Sequence, residues 1–207
     1  MAESGLKLLI ASANRGKVSE FRSLLDGLDV ELLSVQDAGI SGDVEETGST
    51  YEENARLKAV TCASQSGLLT LADDSGLEVD ALGGEPGVRS ARYAGEGATD
   101  VDRVAYLLRK LEGVPLESRG ARFVCVIAIA TPEGDVTFCR GECHGRIVTE
   151  PRGERGFGYD PAFLFPELGV TMAELPPEVK NRLSHRGRAA EKAREVLKRF
   201  IDGGRSR

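Results

Sequence analysis

Apolar residues along the chain follow two rhythms, and the switches between them outline the fold. Leu6–Ala11 and Leu68–Ala72 are compact apolar runs with the length of buried strands, and Glu31–Val35 reads as a third strand. After the first run, Val18, Phe21, Leu24, Leu25 and Leu28 recur at helical spacing, so the chain opens strand, loop, helix. Thr50 and Glu53 have the spacing of a capping box and start a second helix, on which Asn54 and Lys58, four residues apart, share a face. Thr99 and Asp102 start a third, with Val101, Val104, Leu107, Leu108 and Leu111 on one side, which reads as scaffold. Phe123–Ala130, a turn at Pro132-Glu-Gly-Asp135 and Val136–Val148 form a long hairpin, expected to extend the sheet as an antiparallel arm. A short strand over Ala162–Phe165 and a last helix capped by Ser184, with Ala189, Ala193, Val196, Leu197 and Phe200 inward, complete an α/β pattern.

The chemistry gathers where the run before Leu71-Ala-Asp-Asp-Ser-Gly-Leu77 ends in two carboxylates. Ser75-Gly76 can turn the chain sharply, which would leave Asp73 and Asp74 at a strand's carboxyl end, the edge where open α/β sheets bind ligands. Adjacent residues leave an extended chain in opposite directions, so the two acids are suited to different tasks, such as metal ligand and water activator. The competing reading is a polar turn in which both aspartates cap local N–H groups.

Length and composition narrow the field. At 207 residues the chain can bury one sizeable core, or two lobes sharing one, and we read residues 1–207 as a single catalytic domain without a separable linker. A net charge of −6 disfavours a nucleic-acid partner, which calls for a basic footprint, but leaves room for a small anion carried with a metal. No apolar run is long enough to span a bilayer and no signal peptide is evident, so no membrane partner is expected. Sparse cysteines at 62, 125, 139 and 143 fit free thiols in a reducing cytoplasm. Cys139, Cys143 and His144 lack a second Cys/His pair, and their segment alternates like a strand, which argues against zinc.

Four loops add candidate groups. Ser12-Ala-Asn-Arg-Gly-Lys17 joins strand to helix: Ser12 or Asn14 can cap, Gly16 permits close approach of a ligand, and Lys17 adds charge to a helix start that suits phosphate. It is not a P-loop, because the first glycine and the Ser/Thr after Lys17 are missing. Asp43-Val-Glu-Glu-Thr-Gly-Ser-Thr50 is acidic, and the capping box leaves Glu45 and Glu46 unexplained. Gly83–Gly95 is too long and glycine-rich for a plain connector. Gly156-Phe-Gly-Tyr-Asp-Pro161 leaves a ring accessible for stacking on a flat base, and Lys180, His185 and Arg186 concentrate donors near a helix start.

Six stretches in one order, Ser12–Lys17, Glu45–Gly48 with Glu53–Lys58, Ala72–Leu77, Ser90–Tyr93, Gly156–Pro161 and Ser184–Gly187, resemble the inosine triphosphate pyrophosphatase family, most of all its bacterial branch. The resemblance runs from Leu8 to the final helix, and Ser12, where the family often has Thr, keeps the hydroxyl. It implies hydrolysis of non-standard purine nucleoside triphosphates (ITP, dITP, XTP) to the monophosphate and pyrophosphate. It also implies a mixed, elongated sheet with flanking helices, two lobes around a central cleft, and a homodimer. By resemblance, Ser12, Ala13, Asn14, Arg15, Gly16 and Lys17, with Lys58, hold the triphosphate. Glu46 or its neighbour Glu45, with Asp74, holds Mg²⁺; Asp74 is also the base for the attacking water, Asp73 assists, and Ser75 touches substrate. Phe157, Gly158, Tyr159, Asp160, Lys180, His185 and Arg186 form the base pocket.

This assignment is chemically coherent. Cleavage between the α- and β-phosphates needs charge neutralised on a polyanion and a water placed by a carboxylate. Donors such as Arg186 and backbone N–H groups at purine position 6 satisfy a keto oxygen and clash with adenine's amino group. Aspartyl-nucleophile phosphoesterases want D-x-D spacing, whereas Asp73 and Asp74 are contiguous. A pyrophosphatase for modified pyrimidines, and a module that binds nucleotide without turnover, are the other readings.

Overall fold

The structure, a computed structural model, describes residues 5–41 and 44–204. Asp43, which opens the acidic loop, lies outside the described residues. Seven strands form one mixed sheet among those residues: β1 Leu6–Ile10, β2 Val30–Ser34, β3 Leu69–Val79, β4 Gly120–Ala130, β5 Val136–Ile147, β6 Phe163–Phe165 and β7 Val170–Thr171, in the order β2-β1-β3-β4-β5-β6-β7. β1 pairs in parallel with β2 (Leu8 opposite Leu32) and with β3 (Leu8 opposite Leu69), while β6 is antiparallel to β5 and β7. The helices are α1 Arg15–Leu24, α2 Tyr51–Ser66, α3 Asp100–Lys110, α4 Pro177–Leu183 and α5 His185–Gly204.

The chain divides into two compact units. The first comprises the chain up to Asp74, Cys125–Gly141 and the chain from Arg186 on; the second comprises Ser75–Val124 and Glu142–His185. In the first, Leu8 and Ile10 of β1, Phe21 and Leu25, Leu71 of β3, Ile127 and Ile129 of β4, and Ala189, Ala193 and Leu197 of α5 form one buried cluster. Each large side chain removed from water there, such as Phe21, contributes roughly 1.5–3 kcal/mol. In the second, Leu77 and Val79, Leu107 and Leu111 of α3, Phe123, Ile147, Phe163 and Met172 form another.

Local chemistry explains the helix starts. Asn14 caps α1 by accepting from the Lys17 amide, and Thr50 with Glu53 and Thr99 with Asp102 complete capping boxes on α2 and α3. Gly67 closes α2 at φ +68, where a side chain would be strained.

One expectation is corrected. Ser75-Gly76 does not turn the chain: β3 continues to Val79, so Asp73 and Asp74 lie inside a strand rather than at its end. The reason is that apolar burial resumes beyond the pair, with Leu77 and Val79 wholly inaccessible, and this outweighs the local turn preference of Ser-Gly. The long hairpin does extend the sheet beyond β3, with β4 fourth of the seven strands and β5 fifth. Beyond it lie β6, the short strand expected near Ala162–Phe165, and β7, whose two residues are too few for periodicity to reveal. Among the described residues, no helix is long and apolar enough to cross a membrane.

Candidate active site

The site grows from the loop between β1 and α1. The Ala11 amide donates to the Leu71 carbonyl at 2.8 Å, pinning the loop's start to β3. Ser12 Oγ accepts from the Asn14 amide at 3.2 Å and Asn14 Oδ1 from the Lys17 amide at 3.1 Å. No acidic residue occupies the first turn of α1, so its amide end keeps its positive potential. Ser12, Ala13 and Arg15 line an open cavity of about 400 Å³, bordered also by Ser34 and Gln36.

Asp73 and Asp74 project from β3 to different partners, as alternation along an extended chain requires. Asp73 Oδ2 lies 3.0 Å from Lys17 Nζ, 3.3 Å from Arg186 Nη2 and 3.8 Å from Cys125 Sγ. Arg186 Nη1 donates to Glu20 Oε2 at 2.7 Å, and its guanidinium sits 5.9 Å from the centre of the Phe21 ring. Burial alone would raise the Asp73 pKa, but Lys17, Arg186 and Lys58 outweigh it and hold the carboxyl well below the usual range. The same burial and the neighbouring Asp73 charge push the Cys125 thiol far up, which disfavours its thiolate.

Asp74 faces α2. Asn54 Nδ2 donates to Asp74 Oδ2 at 3.1 Å, and Lys58 Nζ lies 3.7 Å from Asp74 Oδ1 and 2.7 Å from Glu46 Oε1. The shared helix face of Asn54 and Lys58 thus meets the acidic loop through Glu46, which is half-buried, whereas Glu45 is exposed. Asn54 also accepts from the Gly48 amide at 2.8 Å, and a Cβ on Gly48 would stand only 2.6 Å from Asn54 Oδ1, so this close approach needs glycine. Burial raises the Asp74 pKa; Lys58 opposes the shift, Glu46 adds to it, and the net effect is upward. For Lys58, burial disfavours the charge, but Asp73, Asp74 and Glu46 override it and raise the pKa.

A second polar cluster lies in the second unit. Lys180 Nζ donates to Asp160 Oδ2 at 2.5 Å and stands 5.0 Å over the Phe157 ring, while the Phe157 amide donates to Asp160 Oδ2 at 3.0 Å. A Cβ on Gly156 would fall 2.0 Å from that same oxygen, which requires glycine there. Buried Tyr159 donates its hydroxyl to the Ser90 carbonyl at 2.9 Å, and Ser90 Oγ in turn accepts from the Leu77 amide at 2.9 Å. His185 is packed rather than exposed: it stacks on Phe123 at 4.6 Å between ring centres, with Nδ1 3.9 Å from Cys143 Sγ. Ser75, next along β3 from Asp74, is half-buried.

Lys17, Glu46, Lys58, Asp73, Asp74 and Arg186 therefore converge in the first cluster, with Ser12 and Asn14 in the adjoining loop. Phe157, Gly158, Tyr159, Asp160 and Lys180 share the second. The guanidinium assigned to the base is engaged here by Asp73 and Glu20. Three participants escaped the sequence reading. Glu20 sits three residues after Lys17 on α1, a spacing that puts both on one side of the helix. Ser90 lies within a motif that gives it no task of its own, and Asp100, beside the capping Thr99, accepts from the Gly158 amide.

Among the described residues, no group of three or more His, Cys, Asp or Glu is arranged to hold a metal ion. Glu46 and Asp74 do converge on one cation, the Lys58 ammonium, so two hard oxygen donors from separate segments share a single positive charge. Two carboxylates are a fitting protein contribution for Mg²⁺, which keeps several waters and takes further oxygens from phosphates.

A mixed α/β sheet with an amide-and-lysine cradle at one loop and buried carboxylates on the adjoining strand defines a protein equipped for a polyanionic ligand. The chain belongs to the Ham1 family, whose model matches residues 8–196. It is 50% identical over 197 residues to the dITP/XTP pyrophosphatase of Geobacillus kaustophilus, covering 95% of this chain and 97% of that protein. It is 54% identical over 183 residues to the dITP/XTP pyrophosphatase of Geobacter sulfurreducens, covering 88% and 92%. Among solved structures, a HAM1 protein from Coxiella burnetii superposes with a TM-score of 0.85 at 44% identity, covering 94% of this chain and 99% of that one. The family resemblance carried by the six motifs is borne out.

Proposed function

We propose that the chain hydrolyses the non-standard purine nucleoside triphosphates ITP, dITP and XTP to the monophosphate and pyrophosphate, clearing them from the nucleotide pool. One observation carries the reading: Lys17 and Lys58 flank the Asp73-Asp74 pair beside a helix start free of acidic residues. That is an anion cradle set against a candidate base. Relatives named dITP/XTP pyrophosphatase at about half identity support the substrate class.

In this reading Ser12 to Lys17, with Lys58, bind the triphosphate, and Asp73 orients Lys17 toward it. Asp74 accepts the proton of the attacking water; a carboxyl whose pKa burial has raised is the better proton acceptor. Glu46 and Asp74 hold Mg²⁺, which supplies charge neutralisation on the polyphosphate when bound. Glu46 is favoured over Glu45 because its carboxylate already reaches Lys58 beside Asp74. Phe157, Gly158, Tyr159, Asp160 and Lys180 receive the base. Adenine is rejected by donors at purine position 6, since each buried donor left unpaired costs about 1–3 kcal/mol. We assign the protein to the cytoplasm as a homodimer on the family resemblance.

Hydrolysis of ITP in ¹⁸O-water tests the reaction. Label in the monophosphate, with unlabelled pyrophosphate, is expected for attack at the α-phosphorus. Label in orthophosphate would move the cut to the terminal phosphate and overturn the mechanism.

A further inference from the structure

Asp100 does more than begin a helix. It is the first residue of α3, where an acidic side chain complements the helix dipole, but capping is already supplied by Thr99 and Asp102. Thr99 Oγ1 accepts from the Asp102 amide at 3.2 Å, and Asp102 Oδ2 accepts from the Thr99 amide at 2.8 Å. The Asp100 carboxylate instead reaches across 58 positions of sequence and accepts from the Gly158 amide at 2.7 Å. Its other oxygen pairs with Arg103, whose guanidinium also donates to the Ala91 carbonyl at 3.0 Å and the Ala98 carbonyl at 2.6 Å. Through its pairing with Arg103, this carboxylate ties α3, Ala91 of the Ser90–Tyr93 motif, Ala98 and the tip of the Gly156–Asp160 loop into one assembly.

The tip needs such a tether. Gly156 and Gly158 both have positive φ, +78 and +62, and glycine gives the tip little conformational preference of its own. Two other anchors hold its flanks: Tyr159 through the Ser90 carbonyl, and Asp160 through Lys180. The Gly158 amide, next to Phe157, is held by Asp100.

We propose that Asp100 is a positioning residue for purine recognition, fixing the Gly158 amide so that the Phe157 segment is preformed for the base. This rests on the base-binding role given to that loop above. Asp100 itself touches no substrate; it acts by lowering the ordering cost of the loop on binding.

The test compares Asp100→Ala with Asp100→Asn, whose amide oxygen can still accept from the Gly158 N–H. For Asp100→Ala, loss of a charge-assisted hydrogen bond predicts a KM for ITP raised about tenfold, with kcat changed no more than about two- to threefold. Its preference for ITP over ATP should fall, and hydrogen exchange over residues 157–159 should speed up in the absence of nucleotide. Asp100→Asn should restore most of the KM and the slow exchange. Unchanged KM, selectivity and exchange in Asp100→Ala would overturn the proposal. So would equal losses of kcat and melting temperature in both variants with KM unaltered, because that pattern marks a merely structural ion pair with Arg103. Should the wild-type protein release no pyrophosphate from ITP, the base-binding reading falls, while the exchange measurement still decides whether Asp100 holds the loop.

Discussion

Around Asp73 and Asp74, among the described residues, the carboxylates of Glu20, Glu46, Asp73 and Asp74 share the cations Lys17, Lys58 and Arg186. Around Phe157 the pairs are matched, Asp160 with Lys180 and Asp100 with Arg103. In the first region carboxylates are held by shared cations, which suits a site that gains a cation and a polyanion together. In the second each carboxylate pairs with a cation and also holds a backbone amide, Asp160 that of Phe157 and Asp100 that of Gly158. Paired charge can thus set up reactivity in one region and shape in the other, and substitutions should separate the two.

The largest effect is expected at Asp74. Asp74→Asn should keep the fold, judged by circular dichroism, and lose about 10²–10⁴-fold in turnover, because the amide cannot take the proton from water. Near-wild-type activity would remove Asp74 from the chemistry. Next, Arg186→Met leaves Asp73 and Glu20 without their shared guanidinium, and urea unfolding should show a loss of about 3–5 kcal/mol. A loss under 1 kcal/mol would mean that Lys17 suffices for Asp73.

The sharing in the first region also predicts a metal effect that the paired second region cannot produce. Mg²⁺ at a hundred times its dissociation constant should stabilise the wild-type fold by about 2.7 kcal/mol, reversed by EDTA. Glu46→Gln should abolish that gain and Lys180→Met should retain it; the opposite pattern would shift the cation to the second cluster.

The two aspartates should respond to pH with opposite sign. Asp73 has a folded pKa below its unfolded one, so its stabilisation is complete above the ordinary carboxylate range and is lost as pH falls below that range toward the depressed folded pKa. Asp74 has a folded pKa above its unfolded one, so its contribution declines as pH rises from the ordinary value through the raised one. Urea unfolding across about pH 1.5 to 8 should therefore show a flattened acid limb in Asp73→Asn and a gain near neutrality in Asp74→Asn. The smallest effect belongs to the scaffold: Thr50→Ala removes the cap of α2 and should cost about 1 kcal/mol, with a matching fall in melting temperature.

Much of this was legible in the chain because it depends on neighbours in sequence. Capping boxes at Thr50 and Thr99 are set by residues three apart, and the common face of Asn54 and Lys58 by residues four apart. The divergence of Asp73 and Asp74 follows from alternation. What escaped depends on distant partners. Ser75-Gly76 has turn chemistry, yet buried Leu77 and Val79 carry the strand onward. The tether from Asp100 to Gly158 spans 58 residues that no local pattern connects.

The most direct test of the account is turnover of ITP, XTP, GTP, ATP and dUTP with and without Mg²⁺, with the released phosphate species identified. Metal-dependent release of pyrophosphate from ITP and XTP, with little from ATP, GTP or dUTP, is the predicted result. Orthophosphate as the product, preference for dUTP, or binding of ITP without turnover would contradict it.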